Sequence, residues 1–432
     1  MNDQPRRFLQ RVWESVRQPP TMVSARAADH LVELCDSLLS ERGEVSGARI
    51  AAEAMTAYEQ LTEAGRDAFF TRLVDHYGAD GGKVHLAIDN YRANPTPSRL
   101  HELHVAAESR RQELFRRLNT APGGTRMLVQ MRADLLRTLE DHPDRSIVDA
   151  DMAHVFRSWF NRGFLVLQRI DWRTSALVLE RLIQYEAVHQ IQGWDDLRRR
   201  LDKDRRCYAF FHPALPDEPL IFIEAALTQG IIGNVQPLLD PHAPVADPAE
   251  ARCAIFYSIT NCQVGLRGVS FGNFLIKQVV EDLSGEFRRL RKFATLSPVP
   301  GFRGWLSSHR AFMSEELASL EVQEATTLAR VSPALKEEIL RLCAYYLLRA
   351  KRGHAPLDPV ARFHLANGAR LARVHWLGDS SRAGIAASLG VTANYVYRVA
   401  DVEANHEAYA KNFRVVTSSV LERLARDVEV PA

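Results

Sequence analysis

The 432-residue sequence has no strong excess of charge of one sign and no long apolar run. Its 55 Lys and Arg residues nearly balance 53 Asp and Glu residues, so no global field draws the whole molecule to nucleic acid or anionic lipid. No apolar run approaches the roughly 20 residues that a membrane-spanning helix needs, and residues 1–17 lack the apolar core of a secretory signal. We therefore expect a cytoplasmic protein that binds neither membranes nor nucleic acid.

Cysteine is also scarce, and its spacing excludes the commonest cysteine-based architectures. The five cysteines lie far apart, without the Cys-x-x-Cys pairs of zinc sites, and their odd number leaves at least one outside any disulfide framework. We expect all five to be reduced and structural: Cys35, Cys207, Cys253, Cys262 and Cys343. With 46% hydrophobic and 25% charged residues, the composition is that of a globular protein and excludes disordered and fibrous chains.

The first third of the chain is predicted to be entirely helical. Leu31, Leu34, Cys35, Leu38 and Leu39 follow the spacing of one buried helix face. Glycine and proline breaks divide residues 25–140 into about six helices. We therefore predict an α+β protein of several domains, with an N-terminal all-α helical bundle over residues 1–145 and an α/β domain over residues 146–432.

The second region begins with two predicted helices, containing residues 152–170 and 176–190, and then alternates strands with helices. Apolar and β-branched runs predict strands at 207–211, 219–227, 253–259, 293–296 and 371–376. A helix over about 272–290 separates the third and fourth of these strands, so we expect the two to pair in parallel.

A glycine-rich turn follows the strand at 253–259. Such a turn at the start of a helix presents free backbone N–H groups and the positive end of the helix dipole, which favour a phosphate. The spacing of Arg267, Ser270 and Gly272 is similar to the pyrophosphate loop of acetyltransferase-like proteins. An ordinary strand-to-helix turn is the alternative. The candidate ligand-binding residues are Gln263, Gly265, Arg267, Gly268, Ser270, Gly272 and Asn273.

Two short segments hold polar side chains on stiff backbone. Ser297 begins the sequence Ser-Pro-Val-Pro-Gly-Phe, in which two prolines fix φ and restrict the residues before them. His364 lies in a short helix that Asp358 caps, Pro359 begins and Gly368 ends. Either residue alone is more often structural than catalytic. We predict that the two meet in one site and act together.

Two further patterns offer competing interpretations. His101-Glu102-Leu103-His104 resembles part of a zinc-protease helix, but the histidines are three residues apart where that motif needs four, so we predict no metal site. Residues 383–399 resemble a helix-turn-helix unit with a recognition helix over 392–399. Arg398 is the only basic residue there, whereas DNA binding needs several phosphate contacts.

Taken together, ordered segments of the second half resemble the malonyl-CoA decarboxylase family. The segments are Arg206-Cys207-Tyr208, His212-Pro213, Glu218-Pro219-Leu220, Phe256-Tyr257-Ser258-Ile259, residues 265–277, Leu296 to Phe302, Phe363 to Ala369, and Ala393-Asn394-Tyr395. The resemblance implies an N-terminal oligomerisation domain, a catalytic domain of acetyltransferase-like (GNAT) fold and a homotetramer. It also implies a role in fatty acid metabolism.

The same resemblance implies the site and the chemistry. Ser297, His364 and Tyr397 occupy catalytic positions, and we add Asn367 to the substrate-binding residues. Loss of CO2 from malonyl-CoA leaves an enolate that the thioester stabilises, so no cofactor is expected beyond the coenzyme A of malonyl-CoA and acetyl-CoA. We expect Ser297 to orient the malonyl group and His364, with a pKa near ~6.5, to stabilise the enolate or relay its proton, although the roles could be exchanged. A CoA-dependent N-acyltransferase and a helix-turn-helix DNA-binding regulator remain the alternative functions.

Overall fold

A computed structural model describes residues 20–40, 43–269, 271, 275–320, 324–426 and 428. These residues form two compact units. The helical unit contains the described residues up to Phe164 together with Gln263–Phe271, and the sheet unit contains Leu165–Cys262 and the described residues after Phe271.

The described part of the helical unit contains eight α-helices. They are α1 Pro20–Ser40, α2 Glu44–Glu59, α3 Glu63–His76, α4 Gly81–Ala93, α5 Pro97–Ala107, α6 Arg110–Leu118, α7 Gly124–Leu136 and α8 Ser146–Trp159. Of the predicted buried face, helix α1 buries Leu31, Cys35 and Leu38 and leaves Leu34 and Leu39 half-buried. Side chains of Thr62 and Asp80 accept hydrogen bonds from the first turns of α3 and α4, so the sequence also sets where these helices begin.

Ten strands lie in the described residues of the sheet unit. They are β1 Val166–Ile170, β2 Arg205–Phe211, β3 Ile221–Thr228, β4 Cys253–Asn261, β5 Lys292–Thr295, β6 Ser297–Pro298, β7 Lys351–Arg352, β8 Ala355–Pro356, β9 Arg370–His375 and β10 Thr392–Tyr397. The helices of this unit are α9 Ala176–Tyr185, α10 Trp194–Arg200, α11 Gln236–Leu239, α12 Leu275–Glu286, α13 Phe302–Ser308, α14 Glu315–Ala318, α15 Ala325–Leu328, α16 Pro333–Arg349, α17 Pro359–Ala366, α18 Arg382–Ser388, α19 Val402–Asn412 and α20 Ser419–Arg426.

The main sheet is mixed. Its strands run in the order β1-β2-β3-β4-β5-β10-β6, with β9 also paired to β10. Strands β4 and β5 are parallel, as predicted, and the other pairs are antiparallel. Apolar residues of β2 and β3 pack with α9 and α10, whereas Cys253, Ile255 and Tyr257 of β4 pack in a second cluster with α11. The sheet is therefore buried between two apolar layers, as in α/β folds.

One helix predicted from the sequence is wrong, and one helix of the helix-turn-helix alternative is not formed. The predicted helix over 152–170 ends at Trp159, and Val166–Ile170 forms β1, which pairs with β2. In the helix-turn-helix alternative, residues 392–399 are the recognition helix, but Thr392–Tyr397 forms β10, which pairs antiparallel with β5, β6 and β9. Pairing with three strands stabilises the extended conformation of this segment beyond its local sequence preference. A DNA-reading helix is therefore absent at residues 392–397.

The predicted fold class is confirmed: a helical region precedes a mixed sheet-and-helix domain, and the antiparallel strands followed by the parallel β4–β5 pair fit the acetyltransferase-like fold. Within the described ranges, no helix is long and apolar enough to span a bilayer. All five cysteines are buried and unpaired by disulfides.

Candidate active site

Ser297 lies at the start of a short strand that the sheet holds in place. It pairs with Ala393 of β10, and Pro298 pairs with Thr392. Because the prolines at 298 and 300 restrict the backbone that follows, the Ser297 side chain projects from a stiff segment. Only 5% of its surface is exposed.

His364 lies on the buried face of α17, where it is 3% exposed. The Asp358 carboxylate accepts a hydrogen bond of 2.8 Å from the Ala361 N–H, and Pro359 occupies the first turn, as the sequence predicts. The helix ends at Ala366, and Gly368 follows its C-cap with a φ of +80°, which favours glycine. A Cβ at this position would also lie 2.1 Å from the Val402 carbonyl oxygen, so the backbone must approach closely there.

A chain of short hydrogen bonds joins three predicted catalytic residues. The His364 Nε2 atom lies 3.0 Å from Ser297 Oγ, and its Nδ1 atom lies 2.8 Å from the Tyr397 hydroxyl. The Ser297 hydroxyl in turn donates to Thr295 Oγ1 at 2.8 Å. The structure therefore brings Ser297, His364 and Tyr397 together, as we predict from the sequence.

The ring of Tyr395 forms one wall of this group. It stacks on the imidazole of His364 with ring centres 4.5 Å apart, and Tyr397 contacts the same imidazole from two residues along β10. Alternate residues of a strand project from one face, so Tyr395 and Tyr397 reach the same histidine. The stack fixes the plane of the imidazole, and the hydrogen bonds fix its rotation in that plane.

Asp358 connects the Ser297 loop to the His364 helix. Besides capping α17, its carboxylate accepts a hydrogen bond from the Gly301 N–H and lies 3.4 Å from the Tyr346 hydroxyl. A Cβ at Gly301 would lie 2.3 Å from that hydroxyl oxygen, so only glycine fits. Burial is the largest effect on Asp358 and raises its pKa above the ordinary value.

Burial also determines the charge of the site. It lowers the pKa of His364 to about 3, and it raises the pKa of Tyr397 well above its ordinary value. Both side chains are therefore neutral near pH 7. The sequence-based expectation of a His364 pKa near ~6.5 is wrong because none of the carboxylates in the described residues compensates for the burial of this ring.

Sequence reasoning missed the polar residues that support the catalytic group. Thr295 Oγ1 accepts the Tyr395 N–H at 3.1 Å as well as the Ser297 hydroxyl. The Asn394 side-chain amide donates to the Thr295 carbonyl at 2.6 Å. The available signal was a polar residue at the end of an apolar strand, two positions before Ser297, which places both side chains on one face.

The predicted phosphate loop is held within the helical unit. Arg132 of α7 donates to the carbonyl oxygens of Gly265 and Arg267 at 2.7 and 2.9 Å. A Cβ at Gly265 would lie 1.8 Å from the Val129 carbonyl oxygen, so close packing against α7 requires glycine here. Gly268 adopts a φ of +76°, and no atom of the described residues lies within 4 Å of a Cβ placed there.

The remaining candidate ligand-binding residues lie at the start of this loop, outside the described residues, or at the end of α17. Gln263 precedes the short 3-10 turn Val264–Leu266. Ser270, Gly272 and Asn273 lie outside the described residues, and the described part of the following helix begins at Leu275. Asn367 caps the C-terminus of α17, where its side-chain amide donates to the Phe363 carbonyl at 2.8 Å.

Comparison with known proteins decides the family. The model of the malonyl-CoA decarboxylase C-terminal domain matches residues 163–431, and that of the malonyl-CoA decarboxylase N-terminal domain matches residues 77–160. The chain belongs to the malonyl-CoA decarboxylase family. The family resemblance inferred from the sequence is thus confirmed.

Relatives in the malonyl-CoA decarboxylase family match most of the chain. The mitochondrial malonyl-CoA decarboxylase of Anser anser anser is 35% identical over 416 residues, covering 85% of this chain and 82% of that protein. The crystal structure of malonyl-CoA decarboxylase from Rhodopseudomonas palustris is 47% identical with a TM-score of 0.87, and that from Agrobacterium vitis is 46% identical with a TM-score of 0.84. Each covers 92% of this chain and 99% of its own.

Proposed function

We propose that this chain converts malonyl-CoA to acetyl-CoA and CO2, the activity for which its relatives are named. The observation that supports it most directly is the buried hydrogen-bonded group of Ser297, His364 and Tyr397. The reaction breaks the bond between the carboxylate carbon and Cα, and the electron pair moves into the thioester carbonyl as an enolate. A proton then adds to Cα.

This chemistry explains why a few neutral side chains suffice. The thioester itself accepts the electrons, so neither a metal nor an organic cofactor is required as an electron sink, and we propose that none is used. A positioned hydrogen-bond donor to a developing oxyanion contributes about 3 to 4 kcal/mol, and general acid catalysis contributes about 10² to 10⁴ in rate. Two or three donors therefore account for much of the acceleration.

The roles follow from the charge states. Ser297 orients the malonyl group, and neutral His364 donates a hydrogen bond to the enolate or passes on the proton that Cα receives. Tyr397 holds the far nitrogen of the same ring. The overall reaction consumes one proton, which water replaces. A neutral imidazole is a weak acid, so it stabilises an oxyanion without protonating the malonyl carboxylate, which must stay ionised to leave as CO2.

The coenzyme A moiety belongs, in this proposal, to the loop after β4. Gln263, Gly265, Arg267 and Gly268 form its described part, and the same proposal includes Ser270, Gly272, Asn273 and Asn367. The open, positive-φ backbone at Gly268 supports it, because glycine allows an anion to approach backbone N–H groups closely. We further propose a homotetramer assembled through the helical unit and a cytoplasmic location, which the five unpaired thiols support.

The test is incubation of the purified protein with malonyl-CoA and no acyl acceptor. A decarboxylase forms acetyl-CoA and CO2 in equal amounts under these conditions. A CoA-dependent N-acyltransferase consumes the thioester only when an amine is added, and then releases free CoA. Consumption of malonyl-CoA that requires an amine and releases free CoA, with no acetyl-CoA formed, would contradict the proposed function.

A further inference from the structure

The hydrogen bonds around Ser297 have a direction. Ser297 Oγ donates a hydrogen bond to Thr295 Oγ1, with 2.8 Å between the two oxygens. The Tyr395 N–H, which can only donate, reaches the same oxygen at 3.1 Å. Thr295 Oγ1 therefore receives two donors and serves as the acceptor at the end of the chain.

This direction determines which ring nitrogen of His364 carries the proton. Since Ser297 gives its own proton to Thr295, it offers only lone pairs to the histidine, and the Nε2 atom at 3.0 Å must be the donor. In a neutral imidazole the other nitrogen is then bare. The Tyr397 hydroxyl, 2.8 Å from Nδ1, must donate to it.

We propose that Thr295 is a positioning residue that sets the direction of this chain and holds the proton of His364 on Nε2. The residue acts through Ser297 and does not itself touch the ring. The direction runs from Tyr397 through His364 and Ser297 to Thr295.

Thr295 is better suited to set the direction than Tyr397, at the other end. A tyrosine hydroxyl can donate to a bare Nδ1 or accept from a protonated one, so it fits both tautomers. Thr295 is held by the rigid sheet: it is completely buried, it ends β5, and its carbonyl oxygen accepts a hydrogen bond from Asn394. Its Oγ1 also faces an amide that cannot reverse.

The direction has a consequence for turnover, and this part of the inference rests on the proposed function. With the observed direction, the ring presents an N–H on its Ser297 side, where a developing enolate needs a donor. With the reverse direction, Nε2 presents a lone pair and the N–H faces Tyr397. The second partner of a histidine commonly fixes the tautomer in this way.

Solid-state 15N NMR of histidine-labelled full-length protein tests the tautomer directly. The His364 signals are assigned by comparison with His364→Gln. We expect wild-type His364 to be protonated at Nε2 and bare at Nδ1. In Thr295→Val, which keeps the shape but removes the acceptor, we expect the Nδ1–H tautomer to appear and kcat to fall about tenfold or more with KM within about twofold. Thr295→Ser should restore both.

Thr392→Val is the matched control. Thr392 lies in the neighbouring strand β10 and is also buried, and its hydroxyl has no hydrogen-bond partner among the described residues. The same isosteric change there should leave both the tautomer and kcat unchanged. Tyr397→Phe supplies a second test that does not depend on the folding of Thr295→Val, because His364 should keep its proton on Nε2 when the tyrosine hydroxyl is removed.

Three results would overturn the inference: a wild-type proton on Nδ1, a tautomer that changes in Tyr397→Phe, or a folded Thr295→Val protein with wild-type ring signals and kcat. The ring signals do not require turnover. A protein that fails the acceptor-free assay but shows the expected tautomers therefore loses the proposed function and retains the tautomer assignment.

Discussion

At the scale of single residues, the two ring nitrogens of His364 are hydrogen-bonded to hydroxyl groups, those of Ser297 and Tyr397. None of the described carboxylates offsets the burial of this ring. Neutral hydroxyl partners leave the imidazole uncharged, whereas a carboxylate partner would favour its protonated form. The arrangement favours hydrogen-bond donation to a developing oxyanion.

The two tyrosines of β10 make a matched pair for testing hydrogen bonding against packing. Tyr397→Phe removes the partner of His364 Nδ1, so we expect kcat to fall about tenfold. Tyr395→Phe keeps the ring that stacks on His364 and removes a buried hydroxyl that has no partner among the described residues. We expect it to leave kcat within about twofold and to raise the free energy of unfolding by about 1 kcal/mol. Steady-state kinetics and urea denaturation check both; equal effects of the two changes on kcat would contradict the assignment.

The buried His364 also predicts a pH dependence of stability. Its folded-state pKa of about 3 lies below its ordinary value of 6.5, so the unfolded chain binds the proton more tightly. The contribution of His364 to the free energy of unfolding is therefore fully present above pH ~6.5. As the pH falls from ~6.5 toward ~3, this contribution decreases by about 1.4 kcal/mol per pH unit. Urea denaturation of wild type and His364→Gln at pH 7 and pH 5 isolates this contribution. A constant difference between the two proteins would show that His364 titrates normally.

At the scale of secondary-structure elements, local patterns predicted much of the site but not the strand at its centre. The prolines around Ser297 and the Asp358–Pro359 cap of α17 are local signals, and the structure bears them out. Strand β10 was not predictable in the same way. The segment comes shortly after the short helix α18 and Gly390. It forms a strand because it pairs with β5, β6 and β9, which lie elsewhere in the chain. The support from Thr295 depends on that pairing.

The β1 segment shows the same limit. Val166–Ile170 continues the apolar spacing of α8, so the sequence suggests one long helix, yet the segment pairs with β2 across its full length. Four of its five residues are partly or fully exposed, which leaves little burial signal for a strand. Long-range pairing decides such short elements more than intrinsic preference does.

The close contact between Gly265 and α7 gives a prediction at this scale. In Gly265→Ala the new Cβ must move away from the Val129 carbonyl, which also displaces the two carbonyls that bind Arg132. We expect the free energy of unfolding to fall by about 2 kcal/mol. Gly47→Ala is the control, since α2 leaves open space there and the change should stabilise by about 0.5 to 1 kcal/mol. Equal effects in thermal or urea unfolding would show that residue 265 tolerates a side chain.

At the scale of the whole molecule, the position where the helical unit ends decides how subunit assembly should be tested. The sequence predicts a helical domain that ends at residue 145, whereas the helical unit of the structure continues to Phe164. Helix α8 is tied into it: the buried Asp151 carboxylate accepts hydrogen bonds from Ser109, Arg111 and Gln112. A protein cut at Ser146 would therefore lose these partners, and point substitutions are the cleaner test of assembly.

Helices α4 and α5 expose large apolar side chains and bury few residues. Leu86 and Val105 are 63% and 58% exposed, and α5 has no buried residue. We expect the double change Leu86→Glu and Val105→Glu to lower the molar mass measured by light scattering, because charges on a packed apolar surface oppose association. Val45→Glu, on α2 with 88% exposure, is the control. An unchanged molar mass in the double variant would exclude this pair from the subunit interface.

The most direct test of the account is the turnover of malonyl-CoA alone by four proteins: wild type, Ser297→Ala, His364→Ala and the double variant. We expect wild type to release CO2 and form acetyl-CoA without an acceptor, and each single change to lower kcat by about 10² or more. Because Ser297 and His364 share one hydrogen bond, the double variant should be far less impaired than the product of the two losses. Fully multiplicative losses, or near-normal turnover in either single variant, would contradict the claim that the two residues act as one unit.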